Sequence, residues 1–152
     1  MTLPMKLLEP PRIFVVDDDV QDAERVSQML RKAGYSVDTE TDSGHALRRF
    51  TANLDGYDIL VSDGNMPHVS GSQLVEGVRK AGFSGKVVMY SGSVSDTDEA
   101  AFKRKGADVV LRKPLGVDFL IPTIRICTAM LAQHRKRARG NSVSQDRVAA
   151  TT

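Results

Sequence analysis

The chain has 152 residues, 41% of them hydrophobic and 26% charged, which suits one ordinary globular domain with its own core. No run approaches the roughly 18 consecutive apolar residues of a membrane span, and Met1–Lys6 lacks the charged start and long apolar centre of a secretory signal. The net charge of +2 is uneven, because the last nineteen residues carry Arg135, Lys136, Arg137, Arg139 and Arg147 against Asp146 alone. Without those five basic residues and one acidic residue, 16 basic and 18 acidic remain, so the body is mildly acidic. The single cysteine, Cys127, lies in an apolar helical pattern. It fits a reducing cytoplasm and is read as a buried structural thiol.

Residues 1–11 read as a leader closed by Pro10-Pro11. Ile13–Val16 is a short, wholly apolar run, as expected for a strand buried on both faces of a sheet. From Asp19 the period changes, with Ala23, Val26, Leu30 and Ala33 at helical spacing and Gly34 as a stop. Tyr35, Val37 and Thr39 alternate as a second strand, and Ser43–Leu54 is again helical through Ala46, Leu47 and Phe50. Tyr57–Ser62 is the third strand, and Gly71–Ala81 a helix with Leu74, Val75 and Val78 inward. Val87–Tyr90 is the fourth strand, Asp96–Lys105 a helix stopped at Gly106, and Val109–Leu111 the fifth strand. Val117 to about His134 is the last helix, with a kink expected at Pro122. The domain is expected over residues 12–134, followed by a basic, disordered tail over 135–152 in which composition turns to Asn, Ser, Gln, Ala and Thr from Gly140.

Five strand–helix alternations imply an α/β fold with a parallel sheet and helices on both faces. Right-handed crossovers restrict its topology, and the flavodoxin-like (βα)5 order 2-1-3-4-5 is the expected solution. In such sheets ligands bind at the carboxyl ends of the strands. Those ends carry Asp17-Asp18-Asp19, Asp63, Ser91 and Lys113. Clustered carboxylates repel, and a cation relieves the repulsion. An all-oxygen set without Cys or His at ligand spacing points to Mg2+, which keeps open positions for phosphate oxygens. Lys113 would neutralise a further oxygen, and Asp63 is then a carboxylate nucleophile facing phosphorus.

Val15-Val16-Asp17-Asp18, Val61-Ser62-Asp63-Gly64-Asn65-Met66-Pro67, Ser91-Gly92 and Lys113-Pro114 resemble, in order and spacing, the motifs of the response-regulator receiver family. The resemblance runs from about Arg12 to Gln133 and is similar to the chemotaxis receivers of two-component signalling. It implies Asp63 as phosphoacceptor. It implies Asp18, Asp63 and the backbone carbonyl of Asn65 as direct metal ligands, with Asp17 acting through water. It further implies Ser91 as the switch hydroxyl and Lys113 as the phosphate-binding lysine before a cis bond to Pro114. The implied donor is a phosphohistidine on a sensor histidine kinase or histidine phosphotransfer protein, and the output is an unnamed downstream protein or a second copy in a homodimer. A stand-alone receiver is expected, one that catalyses its own phosphorylation and dephosphorylation but is not a turnover enzyme.

Three positions depart from the family pattern. Val110 stands where strand five often has an aromatic residue, Leu115 where Phe often follows Lys-Pro, and Ser70 where an acidic residue often precedes the glycine. The first two cast doubt on the usual aromatic readout.

Plainer readings compete at several positions. Asp19 is expected to cap the first helix. His45, His68 and His134 are read as solvated. The basic run Arg135–Arg139 lacks interleaved aromatics and a nucleic-acid-binding fold, so a solvated helix end is preferred over nucleic acid or membrane. Asp17-x-Asp19 formally matches a haloacid-dehalogenase phosphatase, but Gln21 stands where such enzymes place Thr or Val, and the chain is short for one. A phosphorylation-independent pseudo-receiver is the other alternative, although its usual sign, a degraded site, is missing.

Overall fold

The computed structural model describes residues 10–114 and 117–149, with backbone alone at 139 and 141–149. Most of the expected leader, Leu115 and the last three residues of the expected tail lie outside the described residues. The strands are β1 (Arg12–Val16), β2 (Ser36–Glu40), β3 (Ile59–Ser62), β4 (Lys86–Ser91) and β5 (Val109–Arg112). The helices are α1 (Val20–Lys32), α2 (Ser43–Thr51), α3 (Gly71–Lys80), α4 (Asp96–Lys105) and α5 (Val117–Ala149), and a short 3-10 turn spans Leu54–Gly56. All neighbouring strands pair in parallel in the order β2-β1-β3-β4-β5, as the alternation predicts.

Side chains alternate across the sheet with period two, so each apolar run feeds two cores. Phe14 and Val16 of β1, Leu60 of β3 and Val87 and Met89 of β4 pack with Phe50, Leu74, Val78 and Phe102. Ile13, Val15, Ile59, Val61, Val88 and Tyr90 face the other way, against Val26 and Leu30 of α1 and Leu120, Ile124 and Cys127 of α5. Cys127 is therefore a buried core thiol, 2% exposed. Phe50 is the centre of an aromatic group, stacked on Tyr57 at 5.3 Å and edge-on to Phe14 and Phe83.

Caps set the helix starts. The Asp19, Asp42, Ser70 and Ser95 side chains each accept a backbone N–H three residues on, so Asp19 caps α1 as expected. Ser70 and Ser95 form full capping boxes with Gln73 and Asp98. Gly34 and Gly106 follow their helices at φ 100° and 124°, a conformation disfavoured for residues with a Cβ.

Two expected boundaries move. The second helix ends at Thr51 rather than Leu54, because Asn53 leaves helical geometry at φ −145° and the chain tightens into the 3-10 turn. The last helix does not stop near His134, and the disordered tail expected from residue 135 is helical through Ala149. Ala, Arg, Lys and Gln are good helix formers, and one Gly costs only about 1 kcal/mol. Pro122 is accommodated within this helix.

At the amino ends of the strands, Arg79 of α3 acts as a clamp. Its guanidinium donates to the carbonyls of Phe83, Gly85 and Gly106 and to the Asp108 carboxylate. Nearby, Asp58 accepts from the Arg12 backbone N–H and pairs with Arg135 of α5. Arg135 is thus a tertiary contact, a correction to the fully solvated basic run. Among the described residues, no helix is long and apolar enough to cross a membrane.

Candidate metal and phosphate site

The strand order reverses between β1 and β3, whose other neighbours β2 and β4 lie on opposite sides, and this point collects the acidic side chains. Asp17 and Asp18 follow β1 directly and Asp63 follows β3. One carboxylate oxygen from each lies within 4.8 Å of the others. Two oxygens bound to one Mg2+ at roughly 2.0–2.1 Å are at most about 4.2 Å apart, so a small contraction would close the set on the ion. The donors are all oxygen, which fits a hard cation. Asp17 is buried, Asp63 nearly so, and Asp18 exposed.

Asp17 and Asp63 are held by local backbone. Asp17 Oδ1 accepts the Asp19 N–H at 3.0 Å, and Asp63 Oδ1 accepts the Asn65 N–H at 3.3 Å. The Asn65 amide reaches the Ser93 carbonyl at 3.4 Å, linking the loops after β3 and β4. Lys113, one residue beyond β5 and before a cis bond to Pro114, extends over the Tyr90 ring. Its Nζ lies 2.6 Å from Asp17 Oδ2, 3.0 Å from Asp22 Oδ2 and 3.8 Å from Asp63 Oδ2. Burial pushes the Asp17 carboxyl up to about 6, against the opposing hydrogen bond from Lys113. Burial also works against the Lys113 ammonium, but hydrogen bonds to Asp17 and Asp22 outweigh it and hold its pKa above the ordinary lysine range.

Ser91 closes the site on the β4 side. It is fully buried, and its hydroxyl has no hydrogen-bond partner among the described residues. It faces Gly64, where an added Cβ would lie 2.9 Å from Ser91 Oγ and 2.8 Å from Phe102 Cζ of α4. Gly71 is equally confined. A Cβ there would stand 2.3 Å from the Asp63 carbonyl oxygen, and its N–H donates to the Gly64 carbonyl. Ser43 ties down the remainder of the loop by donating to the Pro67 carbonyl and accepting from Val69 N–H.

The structure therefore brings together Asp17, Asp18, Asp63, Asn65, Ser91 and Lys113. Sequence reading missed Asp22, Gly64 and Gly71. Asp22 meets Lys113 across 91 positions of sequence and carries no signal beyond its place in the first turn of α1. Gly64 and Gly71 flank the Asp63 loop, and glycine at both positions was the one available hint of close packing. His45 pairs with Glu40, and His68 is exposed at φ 69° on the loop after Asp63. The departure at Ser70 has a local reason, since Ser70 is the helix cap of α3.

This fold, with an acidic cluster and a lysine at its switch point, defines a receiver of two-component signalling. The chain belongs to the response-regulator receiver family, whose model, "Response regulator receiver domain", matches residues 13–125. It is 31% identical over 117 residues to the transcriptional regulatory protein DltR of Streptococcus agalactiae, covering 77% of this chain and 51% of that one. It is 33% identical over 132 residues to the transcriptional regulatory protein PrrA of Mycobacterium tuberculosis, covering 87% and 54%. The chain thus spans about half the length of these curated relatives. Among solved structures, the Francisella response regulator 1452 receiver domain matches with a TM-score of 0.72 and 28% identity, covering 80% of this chain and 98% of that one. The Vibrio cholerae chemotaxis protein CheY4 matches with a TM-score of 0.70 and 28% identity, covering 78% and 98%.

Proposed function

We propose that this receiver takes a phosphoryl group onto Asp63 from a phosphohistidine of a sensor histidine kinase or histidine phosphotransfer protein. The observation that carries the reading is the position of Asp63, nearly buried, within one 4.8 Å cluster with Asp17 and Asp18 and 3.8 Å from Lys113. A carboxylate oxygen of Asp63 attacks phosphorus. The phosphorus–nitrogen bond breaks, the imidazole leaves, and an acyl phosphate remains. Asp18, Asp63 and the Asn65 carbonyl would hold Mg2+, with Asp17 acting through water, and the ion would supply positive charge to the phosphoryl oxygens. Lys113 neutralises another oxygen as a point charge. Water later cleaves the acyl phosphate and releases inorganic phosphate. The domain thus catalyses its own loading and unloading without turning over an outside substrate.

The Ser91 hydroxyl donates to the new phosphoryl oxygens and draws its loop inward. Output is a changed surface for a downstream protein or for a second copy of the chain. We place this in the cytoplasm, with the domain over residues 12–134 and with neither membrane nor nucleic acid as the partner of the receiver itself.

Incubation with a small phosphodonor and Mg2+ should add one phosphoryl group, detected as one mass increment. Chelating Mg2+ or substituting Asp63→Asn should abolish it. Undiminished labelling of Asp63→Asn would overturn the assignment.

A further inference from the structure

Lys113 is shared among three carboxylates, and one of them, Asp22, lies outside the metal cluster. Asp22 belongs to the first turn of α1, where its N–H is fixed by the Asp19 cap at 3.0 Å. One carboxylate oxygen accepts from Lys113 at 3.0 Å, and the other meets Arg25 at 3.3 Å. The ammonium therefore sits between Asp17 and Asp22, and its 3.8 Å to Asp63 is beyond hydrogen-bond reach.

We infer that Asp22 is a positioning residue that holds Lys113 back from the phosphoryl position, so that phosphoryl binding competes with the Asp22–Lys113 ion pair. The inference rests on Lys113 being the phosphate-binding lysine. An ammonium has three N–H donors. Asp17 and Asp22 take two of these, and bringing the third onto a phosphoryl oxygen at Asp63 draws the nitrogen toward that residue and stretches one of the two bonds. Asp17 is the firmer one, at 2.6 Å and 5% side-chain exposure. Asp22, at 3.0 Å and 29%, is the one released. Each Asp22 contact is partly open to water, so the restraint is modest and easily overcome. Removing it leaves the ammonium free to follow the phosphoryl group.

The test uses beryllofluoride, a phosphoryl mimic, titrated at saturating Mg2+ and followed by backbone amide NMR shifts. Asp22→Asn should tighten the mimic about five-fold, the size expected for a partly exposed ion pair. Lys113→Met should weaken it. In the Lys113→Met background, adding Asp22→Asn should change nothing further, which a merely structural role at the helix start would not reproduce. If Lys113→Met weakens binding while Asp22→Asn leaves it unchanged or weaker, the restraint does not exist. Equal tightening by Asp22→Asn with and without Lys113 would overturn it as well. If Lys113→Met binds like wild type, the phosphate-binding reading of Lys113 fails first and this inference with it.

Discussion

Ser91 presents its hydroxyl to the Cα of Gly64, so closely that a methyl group on Gly64 would stand 2.9 Å from Ser91 Oγ. The same methyl group would stand 2.8 Å from the ring of Phe102 on α4. The residue after Asp63 thus lies against both the Ser91 hydroxyl and a ring of α4, a contiguous path from Asp63 to that helix.

That relationship sets the first prediction. A buried hydroxyl without a partner costs about 1–3 kcal/mol. Ser91→Ala should therefore leave the unphosphorylated protein as stable as wild type or about 1 kcal/mol more so. It should still accept phosphate on Asp63 but lose most of the response in α4. Amide shifts across Asp96–Lys105, with and without beryllofluoride, measure this. Equal responses in both proteins would refute a switch through Ser91.

Mg2+ should stabilise the fold before any phosphate arrives, because binding to the native state adds stability by mass action. At ten times its dissociation constant the gain is about 1.4 kcal/mol, or a few degrees in melting temperature. Asp18→Asn should shrink this increment by removing an exposed donor of the cluster. A melting temperature indifferent to millimolar-range Mg2+ would count against the site.

The third prediction concerns alkaline pH. Burial, together with a 2.8 Å hydrogen bond donated to Asp38, pushes the Tyr57 phenol up to about 12. A folded-state pKa above the unfolded value of about 10 favours the neutral phenol in the fold. The resulting stability is fully present below pH ~10 and is lost as pH rises through about 12. The tyrosinate absorbance of wild type minus that of Tyr57→Phe should titrate with a midpoint near 12, and a midpoint near 10 would contradict the buried pairing.

The strands and their order were legible because hydrophobic period and strand-end chemistry are local signals. Ile13–Val16 and Asp17 are neighbours in sequence, as are Val61 and Asp63. The terminal helix was expected to end near His134 because the segment from Gly140, rich in Asn, Ser and Gln, reads as tail, while each of these residues remains tolerable in a helix. The acidic cluster could be anticipated from residue type and place at the strand ends. The ion pair of Lys113 with Asp22 could not, since it depends on how α1 leaves the sheet. Nor could the confinement of Gly64 and Gly71, which reflects what packs against them rather than what they are. Val110 is half-buried at the edge strand. The aromatic rings beside the site are Phe102, on the neighbouring helix, and Tyr90, under Lys113.

The Arg79 clamp gives the molecule an unequal stiffness. Five guanidinium hydrogen bonds join the end of α3 to the chain leading into β4 and to the turn leading into β5. These segments cannot slide past one another at that pole without breaking several charge-assisted bonds together. At the opposite pole the loop after β4 is held by lighter contacts, the packing of Val94 on the core and a 3.4 Å amide contact from Asn65 to the Ser93 carbonyl. A disturbance at Asp63 therefore meets a rigid floor below and a loose rim above. Displacement should then pass into the rim, with α4 pivoting about a pinned base instead of the whole sheet shifting.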